Sequence, residues 1–335
     1  MTFLCSRLAI KTACAFTTLA VFYTPQSLAS QWHLNFDNDV VIGQDGDYSN
    51  GFTLGWQSLP QTNFDNAVWL FNWQSALTLP LTAGKDKTQW GVTGSQRMWT
   101  PLEIEHDYAQ PYDRPYAGLL ELESFTGQFS QNLAQKNWLS IGVVGPASGA
   151  QTMQELVHKI TPSTTPKGWK YQIENQFTAQ FAYEIDTLIK RWGTQQNSQW
   201  EVSAHNYSAV GNFRSESYLG MTLRWGDDLA SSFGQLSSHS GHLGQYSATA
   251  NKHGNWIVFA RAQAGYRFND LTIEGDLPYE SYVSINHLQA QASTGVIWAF
   301  PTWSVSWSFN VYSKEYQSDN DNWHGYGVLS YSHTL

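Results

Sequence analysis

The chain has 335 residues, with 27 acidic and 18 basic side chains and a formal net charge of −9 at pH 7. This balance argues against a nucleic-acid partner, because binding phosphates requires a basic surface. It favours instead a cation such as calcium, held by clustered carboxylates.

The N-terminus has the pattern of an export signal. Two basic residues, Arg7 and Lys11, precede an apolar run, and Ala29 closes a segment with small residues at the positions a signal peptidase reads. We therefore predict a signal peptide over residues 1–29 and one mature domain over 30–335. Cleavage there would remove both cysteines, which excludes a core stapled by disulfides.

Alternating aromatic strings determine the fold class. The chain holds 16 Trp, 17 Tyr and 17 Phe, and from Trp303 to Val311 every apolar residue is followed by a small polar one. Such alternation puts apolar side chains on one face of a strand and polar ones on the other. Rows of Trp and Tyr at strand ends are typical of the aromatic girdles of outer-membrane barrels. The sequence predicts an all-β fold, a transmembrane antiparallel β-barrel of about 12 strands.

The first strand is predicted over 31–37, with Trp32, Leu34 and Phe36 facing lipid and the residues between them facing the lumen. The second is predicted over 51–59. Further strands are expected over 89–99, 116–128, 137–144, 170–186, 199–208, 216–226, 256–269, 287–300, 302–313 and 324–335.

An acidic loop joins the first two strands. Within residues 38–51, Asn38, Asp39, Asp47 and Ser49 offer the hard oxygen ligands that calcium prefers. Nearby carboxylates also repel one another unless a cation or solvent intervenes. An EF-hand is excluded, because no glutamate follows at the required position. An ordinary hairpin loop remains an alternative, since Asp, Asn and Gly are common turn residues.

Residues 145–176 interrupt the strands with a short helix. Ser148 and Gln151 have the spacing of a capping box, which predicts a helix start near Gly149. The helix should end before Pro162, because a proline disfavours helical geometry in the residue before it. An apolar stripe at a period of 3.6 residues runs along it, formed by Met153, Leu156, Val157 and Ile160.

One histidine, His158, lies on the polar face of this helix with Gln151, Gln154 and Glu155. We expect the helix to leave the barrel in an extracellular loop and to bury its apolar stripe on the outside of the wall. His158 would then be held near the membrane surface. The alternative is a solvated histidine with no chemical role.

Four blocks of sequence, taken in order, resemble the lipid A 3'-O-deacylase (LpxR) family of Gram-negative outer membranes. The resemblance spans essentially the mature chain and is strongest over 141–176. The blocks are Asn38-Asp39, Asp47 to Gly51, Tyr112 to Gly118, and Gly145 through His158 to Asn175.

This resemblance implies calcium-dependent hydrolysis of the 3' ester of lipid A, at a site between the wall and a loop helix. His158 matches the catalytic histidine that activates water. Asn38 and Asp39 match the family's Asn-Asp pair, and Ser49 stands where the family often has threonine. Asp39, Ser49 and Asp47 are the expected calcium ligands. We expect a monomer among outer-membrane lipids, with lipid A or lipopolysaccharide as its substrate.

Two departures from the family pattern affect the site. Six residues after His158, where a relative has glutamate, this chain has Thr164. The loop over 102–113 lacks the lysine found there in the family. A calcium ligand and a contact to the sugar phosphate would then come from elsewhere, with Asp45, Asp47 and Arg114 as candidates.

A different enzyme mechanism would use His205 as base and Ser208 as nucleophile. The two are three residues apart, and an odd separation puts side chains on opposite faces of a strand. They are therefore not expected to meet.

A porin-like or structural barrel without catalysis explains the alternation equally well. It leaves the capped helix and its histidine without a role. We expect four other histidines to be lumen, loop or interface residues without a second ligand, namely His33, His106, His287 and His333.

Overall fold

The computed structural model describes residues 30–39, 47–81, 87–160, 164–194, 198–242 and 253–335, with only the backbone of Ile160. The predicted signal peptide and Asp45 lie outside these residues, and so does most of the acidic loop.

Twelve antiparallel strands form a closed barrel in which each strand pairs with its neighbours in sequence and the last pairs with the first. The predicted barrel of about 12 strands is confirmed. The strands are β1 (Ser30–Asn38), β2 (Asp47–Ser58), β3 (Lys87–Thr100), β4 (Ala117–Phe129), β5 (Leu133–Val144), β6 (Gln176–Trp192), β7 (Gln199–Gly211), β8 (Arg214–Gly226), β9 (Asn255–Asp270), β10 (Leu288–Ala299), β11 (Trp303–Ser313) and β12 (Trp323–Thr334).

The barrel wall is apolar outside and polar inside. On β1, Trp32, Leu34 and Phe36 are exposed on the outer surface, whereas the alternating polar side chains are buried in the lumen. On β11, Trp307 is exposed while the serines on either side of it are buried. This confirms the predicted lipid-facing positions, because a soluble protein would bury the aromatic face instead.

In the described parts of the connections lie three α-helices, α1 (Trp69–Ser75), α2 (Ala150–Ile160) and α3 (Leu271–Glu274). None of the described helices is long and apolar enough to cross a membrane. Helix α2 lies in the connection between β5 and β6, at the barrel end opposite the one where β1 begins and β12 ends. The long loops of outer-membrane barrels are extracellular, which puts α2 outside the cell.

The predicted bounds of one strand were wrong. The sequence predicted a strand over 170–186, but β6 begins at Gln176, because Trp169–Tyr171 forms a turn of 3₁₀ helix. The backbone N–H of Ile173 then bonds the carbonyl of Tyr116, so this segment is held by a neighbouring loop.

The lumen is partly filled by the connection between β8 and β9. We call residues 227–242 the lumen loop. Lys136 on β5 donates hydrogen bonds to the carbonyls of Gly234 at 2.8 Å and Leu236 at 2.7 Å. The side-chain amide of Asn35 on β1 donates to the carbonyl of Gly241. A cavity of about 110 Å³ remains in the lumen beside this loop.

Candidate functional site

Helix α2 packs on the outer face of β3 and β4, at a point where the wall has no side chain. A Cβ at Gly118 would lie 2.3 Å from the Cβ of Ala150 and 2.3 Å from the hydroxyl oxygen of Ser148. The side-chain amide of Gln96 on β3 donates to the carbonyl of Ser148 at 2.6 Å. The start of the helix is therefore fixed to the wall by close contact and a hydrogen bond.

The helix begins at Ala150, as the capping signal predicted. Gly149 has φ of 71°, the left-handed conformation that glycine adopts readily. The hydroxyl of Ser148 accepts from the N–H of Ala150 at 3.4 Å. The reciprocal half of the capping box is not formed, because the side chain of Gln151 donates to Glu155 instead.

The face of α2 that meets the wall differs from the predicted one. Met153 is 40% exposed and Leu156 is 51% exposed, whereas Gln154 is only 4% exposed. The indole N–H of Trp169 donates to the side-chain oxygen of Gln154 at 2.6 Å. The prediction that the apolar stripe is buried on the wall was wrong at Met153 and Leu156. Outside a barrel the surroundings are lipid, so apolar side chains are stable there and polar ones need protein partners.

His158 is half-buried near the end of α2, and its Nδ1 lies 2.5 Å from the carbonyl oxygen of Thr164. A carbonyl can only accept a hydrogen bond, so Nδ1 carries the proton. The neutral ring then has an unprotonated Nε2, which can accept a proton. Thr164 thus orients the histidine through its backbone.

Several polar side chains lie together on β1, β2 and β3, at the barrel end that carries α2. The side-chain amide of Asn38 donates to the carbonyl of Ser49 at 3.4 Å, and the hydroxyl of Ser49 lies 2.6 Å from that of Thr100. A β-bulge between Tyr48 and Asn50 takes Ser49 out of the regular alternation. The carboxylate of Asp39 is buried just beyond the end of β1.

Thr100 connects this group with the helix. It has the same parity on β3 as Met98, which packs in one cluster with Ala150 and Trp169 of the α2 segment. Alternate residues of a strand share a face, so Thr100 lies on the side of the wall that carries α2. Ser49 on β2 therefore contacts the side of β3 on which α2 packs, and Asn38 on β1 contacts Ser49 in turn.

Asp47 belongs to a different cluster. Its carboxylate lies 3.1 Å from Nη1 of Arg114 and 2.8 Å from Nδ1 of His324. Arg114 also bonds Glu315 at 2.9 Å, and all four side chains are buried. Both oxygens of Asp47 thus face cationic or imidazole partners, whereas Ser49 faces Thr100.

Burial and ion pairing oppose each other in this cluster. Burial alone would raise the pKa of the Glu315 carboxyl, but Arg267, Arg214 and Arg114 more than reverse this and lower it. Burial alone would lower the pKa of the Arg114 guanidinium, and the carboxylates of Glu315 and Asp47 raise it instead. Glu315 and Arg114 are therefore both charged at neutral pH.

Among the described residues, two buried groups of side chains could hold a metal ion. One is Asp47, Asp319 and His324, and the other is Glu123, His239 and His242. The sequence pattern indicated only Asp47 of the first group and no member of the second, because the histidines of the second lie in the lumen loop, which has no periodicity. The spacing of two histidines three residues apart, His239 to His242, was the available signal.

The alternative pair is separated as predicted. His205 is buried and its Nε2 lies 3.0 Å from the side-chain oxygen of Gln263. The hydroxyl of Ser208 lies 2.8 Å from that of Ser217. His205 and Ser208 lie on opposite faces of β7, so they cannot act as base and nucleophile.

Comparisons with known proteins found a family and solved structures that this chain resembles. The family model described as "Outer membrane protein LpxR" matches residues 3–335. The solved structure of LpxR from Salmonella typhimurium superposes with a TM-score of 0.74 at 18% identity, covering 90% of this chain and 99% of that one. The β domain of the Bordetella autotransporter BrkA gives a TM-score of 0.40 at 10% identity, covering 91% and 99%. No curated protein sequence matches this chain.

Proposed function

Because the chain belongs to the LpxR family of outer membrane proteins, we propose that it hydrolyses the 3'-linked acyloxyacyl ester of lipid A. The observation that carries this proposal is the state of His158. Its ring sits on a helix held against the outer face of the wall, and Nδ1 contacts a backbone carbonyl, so that Nε2 of a neutral ring would be the atom that accepts a proton.

In the proposed reaction, Nε2 of His158 takes a proton from water while the water oxygen bonds to the ester carbonyl carbon. The ester C–O bond then breaks, and the proton passes to the leaving oxygen of the sugar. Products are a free fatty acid and a 3'-hydroxyl. The carbonyl of Thr164 acts as a positioning group, in the place where a relative has glutamate. This scheme needs no nucleophilic serine.

We propose that the oxygen-bearing side chains at the ends of β1 and β2 hold a calcium ion. The side-chain oxygen of Asn38, the carboxylate of Asp39 and the hydroxyl of Ser49 are the hard ligands this ion prefers. When bound, calcium would stabilise negative charge on the ester carbonyl oxygen. We leave Asp47 out of this set, because its carboxylate is engaged by Arg114 and His324.

The outward apolar stripe of α2 suits a lipid substrate. Met153 and Leu156 are exposed toward the surroundings of the barrel, beside the face that carries His158. Acyl chains can contact these side chains without leaving an apolar environment. The substrate would therefore reach the site from within the membrane.

The test is mass spectrometry of lipid A from cells with and without expression of this protein. We expect loss of the mass of the 3' acyloxyacyl group, and retention of the full mass when calcium is chelated before the protein can act. Unchanged lipid A from cells with correctly folded protein would refute the proposal. Conductance in planar bilayers without any change in lipid A would favour the porin-like alternative.

A further inference from the structure

The lumen loop brings two histidines to one glutamate of the wall, far in sequence from the site outside. Nε2 of His242 lies 2.7 Å from Oε1 of Glu123 on β4, and Nε2 of His239 bonds Oε2 of the same carboxylate. All three side chains are buried. One ligand atom from each lies within 4.8 Å of the others, so a single ion can reach all three.

Neighbouring side chains hold the His239 ring in the orientation that a metal ligand needs. The hydroxyl of Tyr207 lies 2.9 Å from its Nδ1, and the Trp138 ring stacks on it with 4.5 Å between centroids. A histidine that binds metal through one ring nitrogen commonly bonds a second group through the other. Tyr207 can accept a hydrogen bond from the Nδ1–H of His239, and Nε2 could then bind a metal ion in place of its present hydrogen bond to Glu123.

A third histidine points toward this group without a partner. His33 on β1 is 2% exposed, and neither of its ring nitrogens has a hydrogen-bond partner among the described residues. Strand pairing sets His33, Gly55, Thr93 and Glu123 in one row across four strands. The His33 ring lies over Gly55, where a Cβ would be 2.0 Å from Nε2.

The position of His33 relative to the loop completes this arrangement. Its ring centroid lies 6.2 Å from that of His242. A buried polar group without a partner costs free energy, so such groups are rare unless a ligand or ion satisfies them. A metal ion bound by Glu123 and His242 would provide that partner.

We propose that Glu123, His239 and His242 bind a divalent transition-metal ion of the zinc class, with His33 available as the fourth ligand. Imidazole nitrogens with one carboxylate suit zinc, whereas calcium prefers ligands that are all oxygen. This site lies in the lumen and does not depend on the reaction proposed for the outer face. Its ion would join the lumen loop to β1 and β4 and hold that loop inside the barrel.

The experiment uses the full mature protein, folded in detergent, stripped of metal with a chelator and dialysed. It is then loaded with Zn²⁺, and the number of zinc ions bound per protein is measured by inductively coupled plasma mass spectrometry. We expect the wild type to bind Zn²⁺ and the Glu123→Gln and His242→Asn variants to bind one equivalent less. His205→Asn is the matched control, because it removes a buried lumen histidine that bonds Gln263.

X-ray absorption spectroscopy of the Zn²⁺-loaded wild type measures the number of imidazole ligands. This measurement does not depend on whether a variant folds. Two or more imidazole ligands would identify the proposed group. A single imidazole with carboxylate oxygens would assign the ion to Asp47, Asp319 and His324 and overturn the proposal. A wild type that binds no Zn²⁺ would also overturn it. So would Glu123→Gln and His242→Asn variants that bind as much Zn²⁺ as the wild type, or an equal loss of bound Zn²⁺ in His205→Asn.

Discussion

Substituting Gly118 by alanine tests whether the site depends on the close contact between α2 and the wall. The added Cβ would lie 2.3 Å from the Cβ of Ala150, whereas non-bonded carbons rest about 3.5–4.0 Å apart. It would also lie 2.3 Å from the Ser148 hydroxyl. The start of the helix must therefore move outward by about 1.2 Å or more.

This displacement is large enough to measure in catalysis. A misplacement of about 1 Å in a catalytic group can cost on the order of 10²-fold in rate. We expect Gly118→Ala to lower kcat/KM for lipid A by about 10- to 100-fold, because His158 is carried on the displaced helix. The barrel should remain folded, since the clash involves the α2 segment and leaves the strand pairing of β4 intact.

Gly94 provides the matched control. It lies on β3, and a Cβ there would meet no atom within 4 Å. Purified Gly118→Ala and Gly94→Ala would be compared by release of fatty acid from lipid A in mixed micelles, with heat-modifiable gel migration as the check of folding. Folded Gly118→Ala with activity within twofold of the wild type would refute the dependence of activity on the contact between α2 and the wall. So would a loss of activity in Gly94→Ala as large as that in Gly118→Ala.

Further predictions concern the histidine, the cation and the buried charge cluster. His158→Gln should abolish hydrolysis in a folded barrel, while His333→Gln, at an exposed residue near the other end, should not; full turnover by the first variant would contradict the mechanism. EDTA should stop hydrolysis, and added Ca²⁺ should restore it; activity unaffected by EDTA would exclude the calcium site. Arg114→Met should cost about 3–5 kcal/mol in urea unfolding, because it removes a buried cationic partner from both Asp47 and Glu315; a wild-type unfolding midpoint would contradict this. The lowered pKa of Glu315 means that its ionised form stabilises the fold above the ordinary carboxyl pKa, and that this contribution disappears as pH falls through the lowered value. Glu315→Gln should therefore flatten the loss of stability in acid, and an unchanged pH profile would argue against this role.

The two-residue repeat made the wall predictable. Side chains alternate on a strand whatever it pairs with, so Trp307 and its neighbouring serines indicated the lipid face and the lumen face correctly. The start of α2 was equally local, because Ser148 and Gly149 determine it within one turn. Strand β6 was misplaced where the segment before it takes its hydrogen bonds from distant loops.

Long-range contacts determined the orientation of α2 and the grouping of the polar side chains. Which face of α2 meets the wall depended on the lipid surroundings and on Trp169, and periodicity alone pointed to the opposite face for Met153 and Leu156. The grouping of Glu123 with His239 and His242 spans more than a hundred residues of sequence. The sequence by itself determined the strands, the barrel and the helix, because these follow from backbone geometry repeated residue by residue. Only the tertiary structure decided which polar groups meet, because closing the barrel brings together residues that no local pattern relates.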